Sequence, residues 1–235
     1  MTRRDFLSSG VCLAASAALG NPIRSSIGGR GQPKWGDDVP YDAPIEYLES
    51  TGGQWINTWY VPNLFSQFDL KFSPNNVDFV AHAIHGNANS TTTKYSPSVQ
   101  SPLTLWTGNG YNNRFFYSPI SLSGYSVGGI YTIQQSINGI VRNGLHIGTY
   151  KLSEMRSIVN EPMWLFHFMN GAIPAYGLLK MYYWRVSENG ILMMDLMPVR
   201  FTNELGIREG AMYDRVSGEL FRNRGTGSFL IGPDL

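Results

Sequence analysis

Residues 180–197 read Lys180-Met181-Tyr182-Tyr183-Trp184-Arg185-Val186, then Ser187-Glu188-Asn189-Gly190, then Ile191-Leu192-Met193-Met194-Asp195-Leu196-Met197. Asn-Gly accepts positive φ at both central positions of a two-residue hairpin turn, which makes it the strongest short hairpin signal. Between two runs rich in aromatic and aliphatic residues it predicts strand, turn, strand. Four more Asn-Gly pairs start at residues 109, 138, 143 and 170. A second, shorter turn is expected from Asp214 to Gly218, through Ser217-Gly218.

Outward from this hairpin the texture repeats. Short β-rich runs alternate with turn signals, the pattern of an all-β fold. Candidate strands are 45–49, 54–60, 67–72, 77–84, 103–107, 114–117, 130–137, 145–150, 163–169, 178–186, 191–197, 211–213 and 219–221. Only 152–159 has a helical flavour, and no fixed-period repeat stands out. Thirteen candidates exceed what one flat sheet holds comfortably, so two packed antiparallel sheets are expected. Composition agrees. The 235 residues hold 26 glycines and 13 prolines, 43% hydrophobic and 13% aromatic residues. That is too apolar for a disordered chain and too turn-rich for a helical bundle. Basic and acidic residues number 18 and 17, so no basic excess of the nucleic-acid-binding kind exists.

The first twenty residues read as an address. Thr2-Arg3-Arg4-Asp5-Phe6-Leu7 precedes a small, apolar run from Val11 to Leu19, too short to span a bilayer. Arg3, Arg4, Phe6 and Leu7 look like a twin-arginine export signal, and an ordinary secretory signal is the alternative. Cleavage is expected after Ala17 or Gly20. Removing Arg3, Arg4 and Asp5 from 18 basic and 17 acidic residues leaves 16 of each. It also removes Cys12, the single cysteine, so the exported part would have no disulfide. Residues 21–44 carry Gly28-Gly29, Gly31, Pro33, Gly36, Pro40 and Pro44 without apolar periodicity and read as a flexible linker. One domain is expected over 45–235, with no later membrane anchor.

The run Pro44-Ile45-Glu46-Tyr47-Leu48-Glu49-Ser50-Thr51-Gly52-Gly53-Gln54-Trp55-Ile56-Asn57-Thr58 resembles the opening strand pair of bacterial laminin-G-like, concanavalin A-like jelly-roll domains. Trp164-Leu165-Phe166 with Asn170-Gly171 is similar to their penultimate core strand and turn. Met181 to Val199 resembles their closing hairpin. Tyr213-Asp214-Arg215-Val216-Ser217-Gly218-Glu219-Leu220-Phe221 and Asn223-Arg224-Gly225-Thr226-Gly227-Ser228-Phe229 resemble their C-terminal signature. The likeness runs from about residue 44 to the end, and residues 86–130 resemble nothing specific. One departure is Trp59, where the family usually has glycine. The resemblance implies an antiparallel two-sheet jelly-roll sandwich. It does not imply one activity, because that architecture hosts lectins, glucanases, adhesion modules and structural domains.

Chemistry-bearing patterns are sparse. Glycoside cleavage needs two carboxyl groups across the bond. No acidic strand of the glucanase type is present, and Glu46 and Glu49 point to opposite faces of a strand. His82 and His85 also face opposite ways on a β-like run, and His146 and His167 stand far off, so no zinc site is read. No serine triad, phosphate loop or dinucleotide fingerprint occurs. Calcium at a loop rim stays open through Asp37-Asp38 or Asn75-Asn76-x-Asp78, though asparagine-rich turns suit bare backbone geometry equally. No other cofactor is indicated. Sugars stack their C–H faces on aromatic rings while amides and arginine bond the hydroxyls. Trp106, Asn109, Tyr111, Asn112, Asn113 and Arg114 lie within nine residues and make the candidate ligand-binding loop, with a second polar loop over 85–95 beside it. The alternative is a hairpin whose aromatics enter the core. Trp55, Trp59, Trp164 and Trp184 sit at strand positions and are expected mostly in the core. The expectation is an exported, non-catalytic module for carbohydrate or another surface polymer. A hydrolase or lyase of the same fold, and a structural or protein-interaction domain of the envelope, are the alternatives.

Overall fold

The computed structural model describes residues 39–63, 65–75, 82–90, 93–100, 104–109, 120–121, 126–136, 139–148, 161–170 and 173–235. The signal motif Arg3, Arg4, Phe6 and Leu7, linker residues up to 38, and 152–159 lie outside them. In chain order the strands are β1 (Ala43–Pro44), β2 (Leu48–Thr51), β3 (Ile56–Asn57), β4 (Ser66–Pro74), β5 (His82–Ala83), β6 (His85–Ser90), β7 (Thr93–Gln100), β8 (Thr104–Asn109), β9 (Ile120–Ser121) and β10 (Tyr131–Ser136). There follow β11 (Gly139–Arg142), β12 (Leu145–Gly148), β13 (Trp164–Leu165), β14 (His167–Asn170), β15 (Ile173–Tyr176), β16 (Leu178–Glu188), β17 (Ile191–Thr202), β18 (Arg208–Asp214), β19 (Leu220–Phe221) and β20 (Leu230–Ile231). Among the described residues the fold is all-β, and each strand pair is antiparallel. No helix of these residues is long and apolar enough to cross a membrane.

The larger sheet runs β12-β11-β10-β4-β16-β17-β18-β19, with β2 continuing along β16, β20 beside β2, and β1 on β17. The second runs β3-β13-β6-β7-β8-β9, with β5 on β7, and β14-β15 is a separate hairpin. Two-residue alternation, interrupted in β16 by one extra residue between Met181 and Tyr183, sends Phe68, Leu70 and Phe72 of β4, Ile133 of β10, and Met181, Trp184 and Val186 of β16 to one face. There they share a core with Ile56, Ile84, Leu165 and Phe166 from the second sheet and its flanks.

The quoted hairpin forms as read, and longer. Asn189 and Gly190 have φ of 49° and 79°, and Asn143-Gly144 repeats the geometry at 46° and 80°. Both turns use the positive φ that asparagine and glycine tolerate. The Asp214–Gly218 turn is held by the Asp214 carboxylate. It accepts from the backbone N–H groups of Asp195 (2.8 Å), Val216 (3.1 Å) and Ser217 (3.1 Å).

Segments 53–55 and 223–226 interlock. Asn223 Oδ1 accepts from Trp55 N–H (3.2 Å) and Gly225 N–H (2.8 Å), and Thr226 N–H donates to Gly53 O (2.9 Å). A Cβ at Gly225 would lie 1.8 Å from Gly53 O, so the close approach of the two backbones requires glycine there.

Three expectations are corrected. Residues 41–44, read as linker, belong to the fold. Tyr41 packs edge-on against Tyr213 (4.9 Å), over a small cluster of Val199, Phe201 and Ala211, and Asp42 N–H donates to Arg200 O (2.8 Å). Residues 85–95, read as a polar loop, fall mostly in β6 and β7, a pair with few apolar residues to announce it. Of the four tryptophans expected mostly in the core, Trp184 is fully buried, Trp55 and Trp164 are half-buried, and Trp59 is 62% exposed.

One polar connection crosses the core. Trp184 Nε1–H donates to His85 Nδ1 (2.8 Å), and His85 Nε2 lies 3.3 Å from Gln135 Oε1. An indole N–H only donates, so Nδ1 is the acceptor and the proton sits on Nε2, which donates to Gln135. Burial is complete and pushes the imidazole pKa from 6.5 down to about 3. His85 is therefore a neutral bridge between strands of the two sheets.

Candidate functional site

Trp106 and Asn109 of the sequence-predicted loop lie in β8, in register with Ser98 and Tyr95. Tyr111, Asn112, Asn113 and Arg114 lie outside the described residues, as do Asp37, Asp38, Asn76 and Asp78 of the calcium candidates. Asn75 is engaged locally, its Nδ2 donating to Glu49 Oε1 (2.8 Å).

The face of the larger sheet turned away from the core carries most of the described chemistry. Register aligns one residue per strand across six strands: Asp195, Arg185, Asp69, Gln134, Val141 and His146. At the usual spacing between neighbouring strands the row spans about 24 Å. Arg185 Nε donates to Asp195 Oδ1 (2.9 Å), and Arg215 donates to the other carboxylate oxygen. Tyr183 Oη donates to Asp69 Oδ1 (3.1 Å) and its ring lies 4.5 Å beneath the Arg185 guanidinium. Burial first, and then the Asp69 carboxylate, push the Tyr183 phenol up to about 12.

A β-bulge shapes this face. Met181 opposes Phe72 and Tyr183 opposes Lys71, so Tyr182 is the extra residue. Ordinary alternation would send Tyr182 and Tyr183 to opposite faces. The bulge keeps both on the outer one. Tyr182 meets Tyr47 edge-on (5.9 Å) under Lys71 Nζ, 4.9 Å from its ring, while Lys180 Nζ stands 4.2 Å over Tyr47.

Where the row meets the neighbouring Ser187–Gln67 pair the surface sinks into a cavity of about 330 Å³. Gln67, Asp69, Gln134, Ser136, His146 and Ser187 line it, together with Val141. That volume lies at the lower end of the range for small-molecule sites. The lining offers amides, hydroxyls, one carboxylate and one imidazole, the donor and acceptor mixture that matches a polyhydroxyl ligand.

No protein-family model, curated protein or solved structure matches this chain.

Sequence reading missed Asp69, Gln134 and Tyr183 as a group because register brings them together, not spacing. The only signal for the tyrosines was their adjacency in a strand otherwise alternating between apolar and polar residues.

Proposed function

We propose that the chain is an exported, non-catalytic binding module of the jelly-roll sandwich kind, which takes carbohydrate on the outer face of its larger sheet. The observation that carries this is the amide- and hydroxyl-lined cavity, bordered by Tyr183 through its bond to Asp69. A saccharide would place hydroxyls on Gln67, Gln134 and Ser187 and lay a ring face toward the tyrosines. The hydrolase reading has less behind it. Asp69 and Asp195 stand two strands apart, about 10 Å, and Asp195 is engaged by two guanidiniums.

A glycan array with the full chain, with and without calcium, is the first test. Selective binding weakened about tenfold by Gln134→Ala, with Trp106→Ala silent, would place the ligand in the cavity. Weakening by Trp106→Ala or Arg114→Ala instead would move it to the 106–114 loop. A folded protein that binds no glycan would sink the reading and favour a protein-interaction or structural role.

A further inference from the structure

We propose a second carbohydrate site around Trp59, on the other sheet, that takes a sugar bearing a carboxylate. Trp59 follows β3 with φ of +57°, the left-handed region that bulky side chains seldom adopt. Its surroundings over-determine that bend. Trp59 N–H donates to Asn57 Oδ1 (2.9 Å), Thr58 donates to Met163 O from both N (3.0 Å) and Oγ1 (2.7 Å), and Met163 N–H donates back to Tyr60 O (2.8 Å). None of these bonds involves the indole. Glycine would satisfy the same backbone, yet the position holds the largest side chain, and that side chain is 62% exposed. Strain kept without burial in return points to use of the exposed ring.

The second observation is Arg224. Its guanidinium lies 5.7 Å from the Trp59 ring centroid, within cation–π range. The backbone that carries it is anchored where segments 53–55 and 223–226 interlock, for Arg224 N–H donates to Trp55 O (2.8 Å). Among the described residues no carboxylate forms an ion pair with it. Trp55, whose backbone accepts that bond, packs its ring on Trp164 (5.5 Å), which continues through parallel rings to His167 (5.1 Å) and Tyr176 (4.8 Å). An exposed indole offers a stacking surface for a pyranose ring, and an unpaired guanidinium offers bidentate recognition of a carboxylate. Together they fit a uronate residue. Nucleic acid fits less well, because the chain's net charge is +1.

The site stands independently of the cavity on the larger sheet, and the experiment separates the two. The full chain is run in native gels containing polygalacturonate, neutral galactan or no polymer, with its melting temperature measured in parallel. Polygalacturonate is expected to retard the wild type. Trp59→Gly should lose about tenfold in affinity while melting higher, and Arg224→Gln should lose a similar factor on polygalacturonate alone. Neither Trp59 nor Arg224 lines the cavity, so their loss of retardation reads this site and not that one. The proposal is overturned by a wild type that polygalacturonate does not retard, by Trp59→Gly binding unchanged, or by Trp59→Gly melting lower, which would make Trp59 a packing residue. Unchanged retardation of Arg224→Gln would overturn the carboxylate specificity.

Discussion

Lowering the pH should destabilise the protein through one buried histidine. His85 is neutral in the folded state, its pKa held near 3 by burial against an ordinary 6.5. A folded-state pKa below the unfolded one means that the unfolded chain binds more protons between these values. His85 therefore costs no stability above pH 6.5 and progressively more as pH falls toward 3. At 1.36 kcal/mol per unit, the difference between pH 7 and pH 5 is about 2 kcal/mol. The control is His85→Gln, whose amide can accept from Trp184 and donate to Gln135 without titrating. Urea denaturation at both pH values should show the wild type losing about 2 kcal/mol more than the variant. Equal losses would refute the buried neutral bridge. So would a His85 ring resonance that titrates near pH 6.5 in the folded wild type, a measurement that does not depend on how the variant folds.

Other perturbations test the frame and the outer face. Gly225→Ala places a methyl 1.8 Å from Gly53 O and 2.8 Å from Trp55 Cδ1, so a loss of about 3 kcal/mol is expected, and an unchanged melting temperature would contradict the interlock. Asp214→Ala strands three backbone N–H donors and should cost about 3 kcal/mol, with Asp214→Asn recovering part because its amide oxygen still accepts. Trp184→Phe leaves His85 Nδ1 without its donor and should cost about 2 kcal/mol by denaturation, whereas a neutral change would mean the hydrogen bond adds nothing. Tyr183→Phe removes only the hydroxyl that bonds Asp69, so stability should shift by about 1 kcal/mol while saccharide affinity drops; unchanged affinity would argue against ligand near the tyrosine.

The hairpin around Asn189-Gly190 was legible because its chemistry is local: two residues that tolerate positive φ, between two apolar-rich runs. The Asp214–Gly218 turn was legible for the same reason. β6 and β7 were not. His85 to Gln100 contains few large apolar residues and a proline, and a run without alternating apolar residues leaves no period to read. The bulge at Tyr182 was equally silent, since it is a relation between two strands more than a hundred residues apart. Trp59 was visible as a departure from the glycine of the resembling domains. Its left-handed backbone and exposure appear only when Met163 is brought against it. Sequence spacing thus found the turns and the core strands, while the outer-face row is built by register and could be read only from the folded sheet.

The interlock of segments 53–55 and 223–226 also sets a timetable. Trp55 and Asn223 are bonded across 168 residues of chain. Synthesis at roughly 5–20 residues per second separates their appearance by about 8–34 s. During that interval Gly53 and Trp55 lack the partners that segment 223–226 will bring, and β2 lacks β20. Long-range pairings of this kind slow folding, because the loop must close before its contacts stabilise anything. β2 thus emerges early and stays without these partners until residues 223–231 have been made and can close back on it.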